Sequence, residues 1–222
     1  MTLQEALVTY SRVNLTETND WYQWSINPKL LPTGVILPEG SYYLQNVALK
    51  QQLSALYSSA NTQVKIEITK YYISKWGGIK RNSEEKIRSY ALDAPALLIT
   101  KGTQGIPSWS KALCIRCPKD YAIYDARVAL SLNCLQIVEE VYHPILFPLL
   151  TGQNKRINEG SRIVRQYATQ HGWQLVQEQS FYQKYNKILS AAANLLVVNI
   201  YTLEMLLFAK TPELLHRALS ER

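Results

Sequence analysis

The chain has 222 residues, 47% of them apolar, which is enough to bury one sizeable core. Its formal net charge of +7 favours an anionic partner, nucleic acid ahead of an acidic membrane surface. Cys114, Cys117 and Cys134 are too few and too clustered for a secreted disulfide framework, so a reducing, cytoplasmic setting is expected.

The opening residues, MTLQEALVTYSR, lack a basic region followed by an apolar core, so no secretion signal is expected. Thr2 is placed to cap a short helix that carries Leu3, Leu7 and Tyr10 on one face. From Asn14 to Gly40 the prolines and glycines predict an extended arm, in which Trp21, Tyr22 and Trp24 read as anchors to the core in preference to base-stacking rings. Residues 1–40 are thus a helix and an arm, and 41–222 a helical body, within one domain spanning 1–222.

The body opens with a helix from Ser41 through Leu44, Val47, Leu53 and Leu56, followed by one capped at Asn61 or Thr62 and stopped at Gly77-Gly78. Between Lys65 and Arg88 stand seven basic residues (Lys65, Lys70, Lys75, Lys80, Arg81, Lys86, Arg88) against three acidic ones (Glu67, Glu84, Glu85). Lys75, Lys80 and Arg81 flank the glycine pair, where backbone amides can approach a phosphate; the plainer reading is a helix stop on a solvated basic surface. Ser83 starts a short helix to Leu92, and Asp93-Ala-Pro95 starts another running into Thr100.

Lys101 to Leu135 is the working stretch. It predicts a turn, a helix carrying Lys111, a second turn at Pro118, and Asp125 at the mouth of an apolar helix running to Tyr142. Arg127 and Gln136 fall on the less apolar face of that helix. Gly105, Ser108, Trp109 and Ser110 crowd the first turn and, with Arg127, join the lysines and Arg81 as candidate nucleic-acid contacts. Beyond it the sequence predicts a polar loop over Thr151 to Gly160, a helix from Ser161 to Gln170, an apolar packing element from Ser180 to Ala209 and a closing helix from Thr211-Pro212. The polar residues Asn194, Asn199, Thr202 and Glu204 make that apolar element a buried helix, or two, in preference to a membrane span. No run alternates long enough to compel a strand, so the expected class is all-α.

Gly105-Ile-Pro-Ser-Trp-Ser-Lys111-Ala-Leu followed by Tyr121-Ala-Ile-Tyr-Asp125-Ala-Arg-Val-Ala129 resembles the helix-hairpin-helix superfamily of DNA glycosylases. In that superfamily a hairpin leads into a helix bearing a lysine, and an aspartate opens the next helix. Here Pro107, Ser108 and Trp109 stand where the hairpin glycines belong, so the motif is degenerate. The resemblance implies a compact multi-helix glycosylase-like fold, DNA as partner, Asp125 as the essential carboxylate and Lys111 as a helper. A monomer without cofactor or metal is expected.

Base removal builds positive charge on the sugar, so a fixed carboxylate and a water-poor site are what the chemistry requires. Asp125 would stabilise that charge and activate water; its bland role is a helix cap worth on the order of 1 kcal/mol. Lys111 would attack the sugar to form a Schiff base, if burial or a neighbouring cation lowers its pKa; its bland role is a solvated lysine or phosphate contact. An extruded base needs a ring to stack on or fill its gap, for which Trp109, Tyr124 and Trp76 are the candidates. Cys114, Cys117, Cys134 and His143 permit a zinc site, against which buried free thiols are preferred. The expected function is excision of a damaged or modified base, in repair or in defence against invading DNA. The rivals are a non-catalytic nucleic-acid-binding protein and a basic protein-interaction module.

Overall fold

A computed structural model describes residues 1–220. The chain folds as a compact all-α assembly with a minimal sheet. Eleven α-helices are present among those residues: α1 (Leu3–Asn14), α2 (Tyr42–Ser59), α3 (Thr62–Lys70), α4 (Glu84–Leu92), α5 (Pro95–Ile99), α6 (Ile106–Arg116), α7 (Ala126–Val138), α8 (Lys155–Gln170), α9 (Phe181–Leu196), α10 (Ile200–Ala209) and α11 (Thr211–Ser220). Many begin where a short polar side chain takes up orphan amides of the first turn. Thr2 and Glu5 form a reciprocal capping box on α1, Ser41 caps α2, Asn61 caps α3, Ser83 caps α4 and Asp125 caps α7.

The apolar residues of α7 are spread round its whole circumference, and the structure buries every residue from Val128 to Val138. It packs against α11, α8, α10 and α1, and is the axis of the larger of two apolar clusters. The smaller cluster gathers α2, the end of α3, the arm and the inner face of α10, through Tyr22, Leu49, Leu53, Tyr72, Ile123 and Met205. α6 and the stretch before α7 lie on the seam: Trp109, Leu113 and Tyr124 join the larger cluster, and Ile115 and Ile123 the smaller.

Several boundaries differ from the sequence expectation, each for a local reason. The helix begun at Asp125 ends at Val138, because Glu140 turns left-handed (φ 45) and Val141 N–H bonds back to Gln136. Gln136 is buried and does not face out: its amide forks onto the backbone of Ile145, donating to the carbonyl at 2.8 Å and accepting from N–H at 2.9 Å. Asn133 does the same to Phe147 at 3.1 and 3.0 Å. These side chains hold a short strand, β1 (Ile145–Leu146), which pairs in parallel with β2 (Gln174–Leu175).

The second half of the predicted polar loop is helical, since Asn154 caps α8 and Gly160 lies inside it. A Cβ on Gly160 would stand 2.7 Å from a methyl of Leu215, so the glycine admits the close crossing of α11. The apolar run from Ser180 divides at Val197 (φ 56), and α9 and α10 meet at 105°. No single helix among the described residues is long and apolar enough to cross a membrane.

Asn133→Ala would leave the Phe147 N–H buried without its partner. It should destabilise the fold by about 1–3 kcal/mol, read from the midpoint of urea unfolding at unchanged slope.

Candidate active site

Residues 122–124 are buried outside any helix or strand, so their backbone groups cannot be satisfied by a regular element of their own. Side chains supply the partners. Ala122 N–H donates to Asn186 Oδ1 (2.8 Å), the Ala122 carbonyl accepts from Tyr182 Oη (2.9 Å), and the Ile123 carbonyl from Tyr185 Oη (2.8 Å). Tyr124 N–H donates to Ser110 Oγ on α6 at 3.1 Å. The last bond ties the helix bearing Lys111 to the residue before Asp125.

That arrangement brings the two residues together. Asp125 Oδ1 caps α7, accepting from Arg127 N–H (3.0 Å) and Val128 N–H (3.1 Å), while Oδ2 stands 4.0 Å from Lys111 Nζ. Capping and pocket-facing roles are thus divided between the two oxygens of one carboxylate. Lys111 is 5% exposed and donates to the Pro107 carbonyl at 3.0 Å. Burial pushes its ammonium below the usual lysine range, opposed by the attraction of Asp125 and Glu204. Its aliphatic chain lies against Gly77, where a Cβ would come within 2.7 Å of Lys111 Cε and 2.9 Å of the Ile73 carbonyl.

Around the pair is a small pocket with Tyr22, Trp24, Trp76 and Phe208 as aromatic walls and Glu204 among its lining residues. α3 continues without a break into a π-helical turn (Tyr71–Trp76), within which Trp76 stacks on Tyr72 at 4.2 Å with 8° between planes. Glu204 pairs with Lys50 of α2 at 3.1 Å, with side-chain exposures of 4% and 0%. Burial pushes the Glu204 carboxyl above its usual range, and Lys50 pulls it back. The site therefore holds two cations and two carboxylates within an apolar seam, and each charge faces an opposite one.

The other expected site residues divide sharply. Lys75, in the π-turn, and Lys80 and Arg81, beyond it, are exposed. Arg127 is half-buried, with its guanidinium 4.8 Å from the Phe208 ring centre. Gly105 is exposed and left-handed (φ 72) at the start of α6. With Gly102 (φ 55) it shapes the turn between α5 and α6, where Glu178 accepts from Thr103 N–H (3.2 Å) and Thr103 Oγ1 (2.7 Å). The glycines of this helix-turn-helix therefore lie upstream of Pro107 and not beside Lys111.

Four expectations are corrected. Trp109 is fully buried, with its indole N–H bonded to the Gln104 carbonyl and its ring edge against Tyr182, so it has no face for a base or phosphate. Tyr124 is equally buried between Phe181 and Tyr185 and donates to the Pro148 carbonyl. Ser110 serves the backbone tie described above, and Ser108 accepts from Asn82 at 3.0 Å below the surface. Of the three candidate rings only Trp76 lines the pocket.

Among the described residues no three His, Cys, Asp or Glu side chains converge as a metal site would require. Cys114 is sealed under the smaller cluster, and burial pushes its thiol up to about 12.

No protein-family model matches the chain, and neither do any curated protein or solved structure.

Sequence reasoning passed over Lys50, Glu204 and Phe208 as site residues, and set Tyr22 and Trp24 aside as anchors of the arm. Glu204 carries the one usable signal: a lone acid inside the run Ile200–Ala209, where a buried charge demands a partner.

Lys50→Met removes the cation and leaves Glu204 buried alone, at a cost of about 3–5 kcal/mol near neutral pH. A carboxyl whose folded pKa is raised contributes stability that is fully present below its unfolded value, near 4.5, and lost as pH rises through the folded pKa. The raise is larger without Lys50, so the variant's deficit should widen from pH 5 to pH 8. Denaturation across that range measures it.

Proposed function

We propose that this protein is a DNA glycosylase of helix-hairpin-helix type that excises a damaged or modified base. The observation that carries the reading is the Lys111–Asp125 pair, 4.0 Å apart and enclosed by aromatic rings. A buried amine with a lowered pKa beside a carboxylate suits attack on a sugar carbon. Aromatic walls suit the flat faces of an extruded base.

In this mechanism the base is held between the rings and the deoxyribose lies at the pair. As the glycosidic bond breaks, its electrons leave with the base, and Asp125 stabilises the positive charge on the sugar. Lys111, as the neutral amine, bonds to the anomeric carbon and passes its proton towards Asp125; ring opening then gives an imine that can proceed to strand cleavage. Glu204, its charge balanced by Lys50, is suited to accept hydrogen bonds from N–H donors on the base edge. The net charge of +7, with Lys75 exposed in the π-turn next to Trp76 and Lys80 and Arg81 exposed beyond it, supports a phosphate backbone lying across this face.

Asp125→Asn separates the carboxylate's chemistry from its capping role, because asparagine caps a helix as well as aspartate. With DNA carrying a range of modified bases and mass spectrometry of what is freed, the wild type should release a base and Asp125→Asn should fall at least about 100-fold with its melting temperature nearly unchanged. Lys111→Gln should abolish borohydride-trapped protein–DNA adducts. Salt-dependent DNA binding with no base released from any substrate would leave a non-catalytic binding protein as the answer.

A further inference from the structure

The pocket around the Lys111–Asp125 pair has a volume of about 40 Å³. That is room for about two or three waters and not for an aromatic base, whereas small-molecule pockets begin near 300 Å³. Trp24 and Trp76 also line a second cleft, of about 310 Å³, together with Ile26, Tyr71, Lys75 and Gly78. The two indoles, edge to face at 6.1 Å and 63°, are thus walls common to a seat too small for a base and a cleft that is large enough.

One buried side chain holds both walls. Asn46 of α2 is fully buried; its Nδ2 donates to the Trp24 carbonyl at 2.7 Å and the Tyr42 carbonyl at 2.8 Å, and its Oδ1 accepts from Trp76 Nε1 at 2.8 Å. The arm around Trp24 has little regular structure of its own, and its far end is tied by Gln52 to Ile36 through a pair of bonds at 2.9 and 2.6 Å. Trp76 belongs to a hydrogen-bonded π-turn and is stacked on Tyr72, whereas Trp24, edge-on to Phe208 at 5.5 Å, stands on an arm outside any helix and is the ring with fewer ties to break.

We propose that Trp24 and Trp76 form a gate over the lysine–aspartate pocket, latched by Asn46, and that a base takes its seat when Trp24 swings away with the arm. The inference rests on reading the pocket as a base site, but its test does not require activity. Asn46 acts here as a positioning residue, through the two indoles.

Lys111 reports the gate directly, because reductive methylation with formaldehyde and cyanoborohydride reaches an amine only when it meets solvent. Lys50, still more deeply buried (0% exposed against 5%) and not among the residues lining this pocket, is the internal control. Peptide mass spectrometry should show slow methylation at Lys111 in the wild type and a rise of about tenfold in Asn46→Ala, the factor expected when buried hydrogen bonds no longer favour the closed state. Gln52→Ala, a change on the outer side of α2, should raise it by a smaller factor without loss of the fold. Lys50 should stay unreactive in both.

An unchanged Lys111 rate in both variants, or Lys50 rising in step with Lys111, overturns the gate. Raised Lys111 labelling with no base release from the wild type would uphold the gate and reject the glycosylase reading. Base release by the wild type with labelling unmoved by either variant would do the reverse.

Discussion

A single tie, Tyr124 N–H to Ser110 Oγ, fixes how the two central helices of this protein face one another. It works because residues 122–124 are buried outside any helix or strand, which leaves backbone groups wanting partners, and an unmet amide there costs about as much as several ordinary contacts supply. Two tyrosines and an asparagine of α9 complete the pinning. With the strand of chain so fixed, Asp125 has one place to start α7, and Lys111 one place to meet it.

Four charges in an apolar seam are an expensive arrangement. Replacing such pairs by well-packed hydrophobic residues is often neutral or favourable, so stability alone gives no reason to keep Lys50, Lys111, Asp125 and Glu204 together. Their arrangement differs from that of a structural ion pair. Lys50 and Glu204 are in direct contact at 3.1 Å, whereas Lys111 and Asp125 stand 4.0 Å apart with the carboxylate 19% exposed. One pair is closed and balances charge; the other is open toward a pocket and has unspent hydrogen-bonding capacity.

Local features of the fold were legible in the sequence. Thr2, Ser41, Asn61, Ser83 and Asp125 each mark a helix start because capping is decided within three residues of chain. The pairing of Lys111 with Asp125 was legible only through motif order. What the sequence hid is what long-range contact decides. Lys50 and Glu204 are 154 positions apart, and neither stands out until the other is beside it. Ser108 and Ser110 looked like phosphate ligands beside a turn, yet the same short hydroxyls serve equally well inside a core that has loose backbone groups to bind. Trp109 misled for a related reason: a large ring near a turn is marked the same way in sequence whether it faces in or out, and here the enclosure of α6 between two clusters turns it inward.

Gly77 sits a helix away from the lysine it touches, and its bareness sets how far that lysine extends. Reach, in this protein, is therefore a property of two positions 34 apart in the chain (111 − 77) and not of the amine-bearing residue alone. Lineages that drift at position 77 would have to shorten, redirect or abandon the amine, so a change from glycine there should travel with a change at 111, and the two sites are best altered as one unit by anyone retuning the pocket.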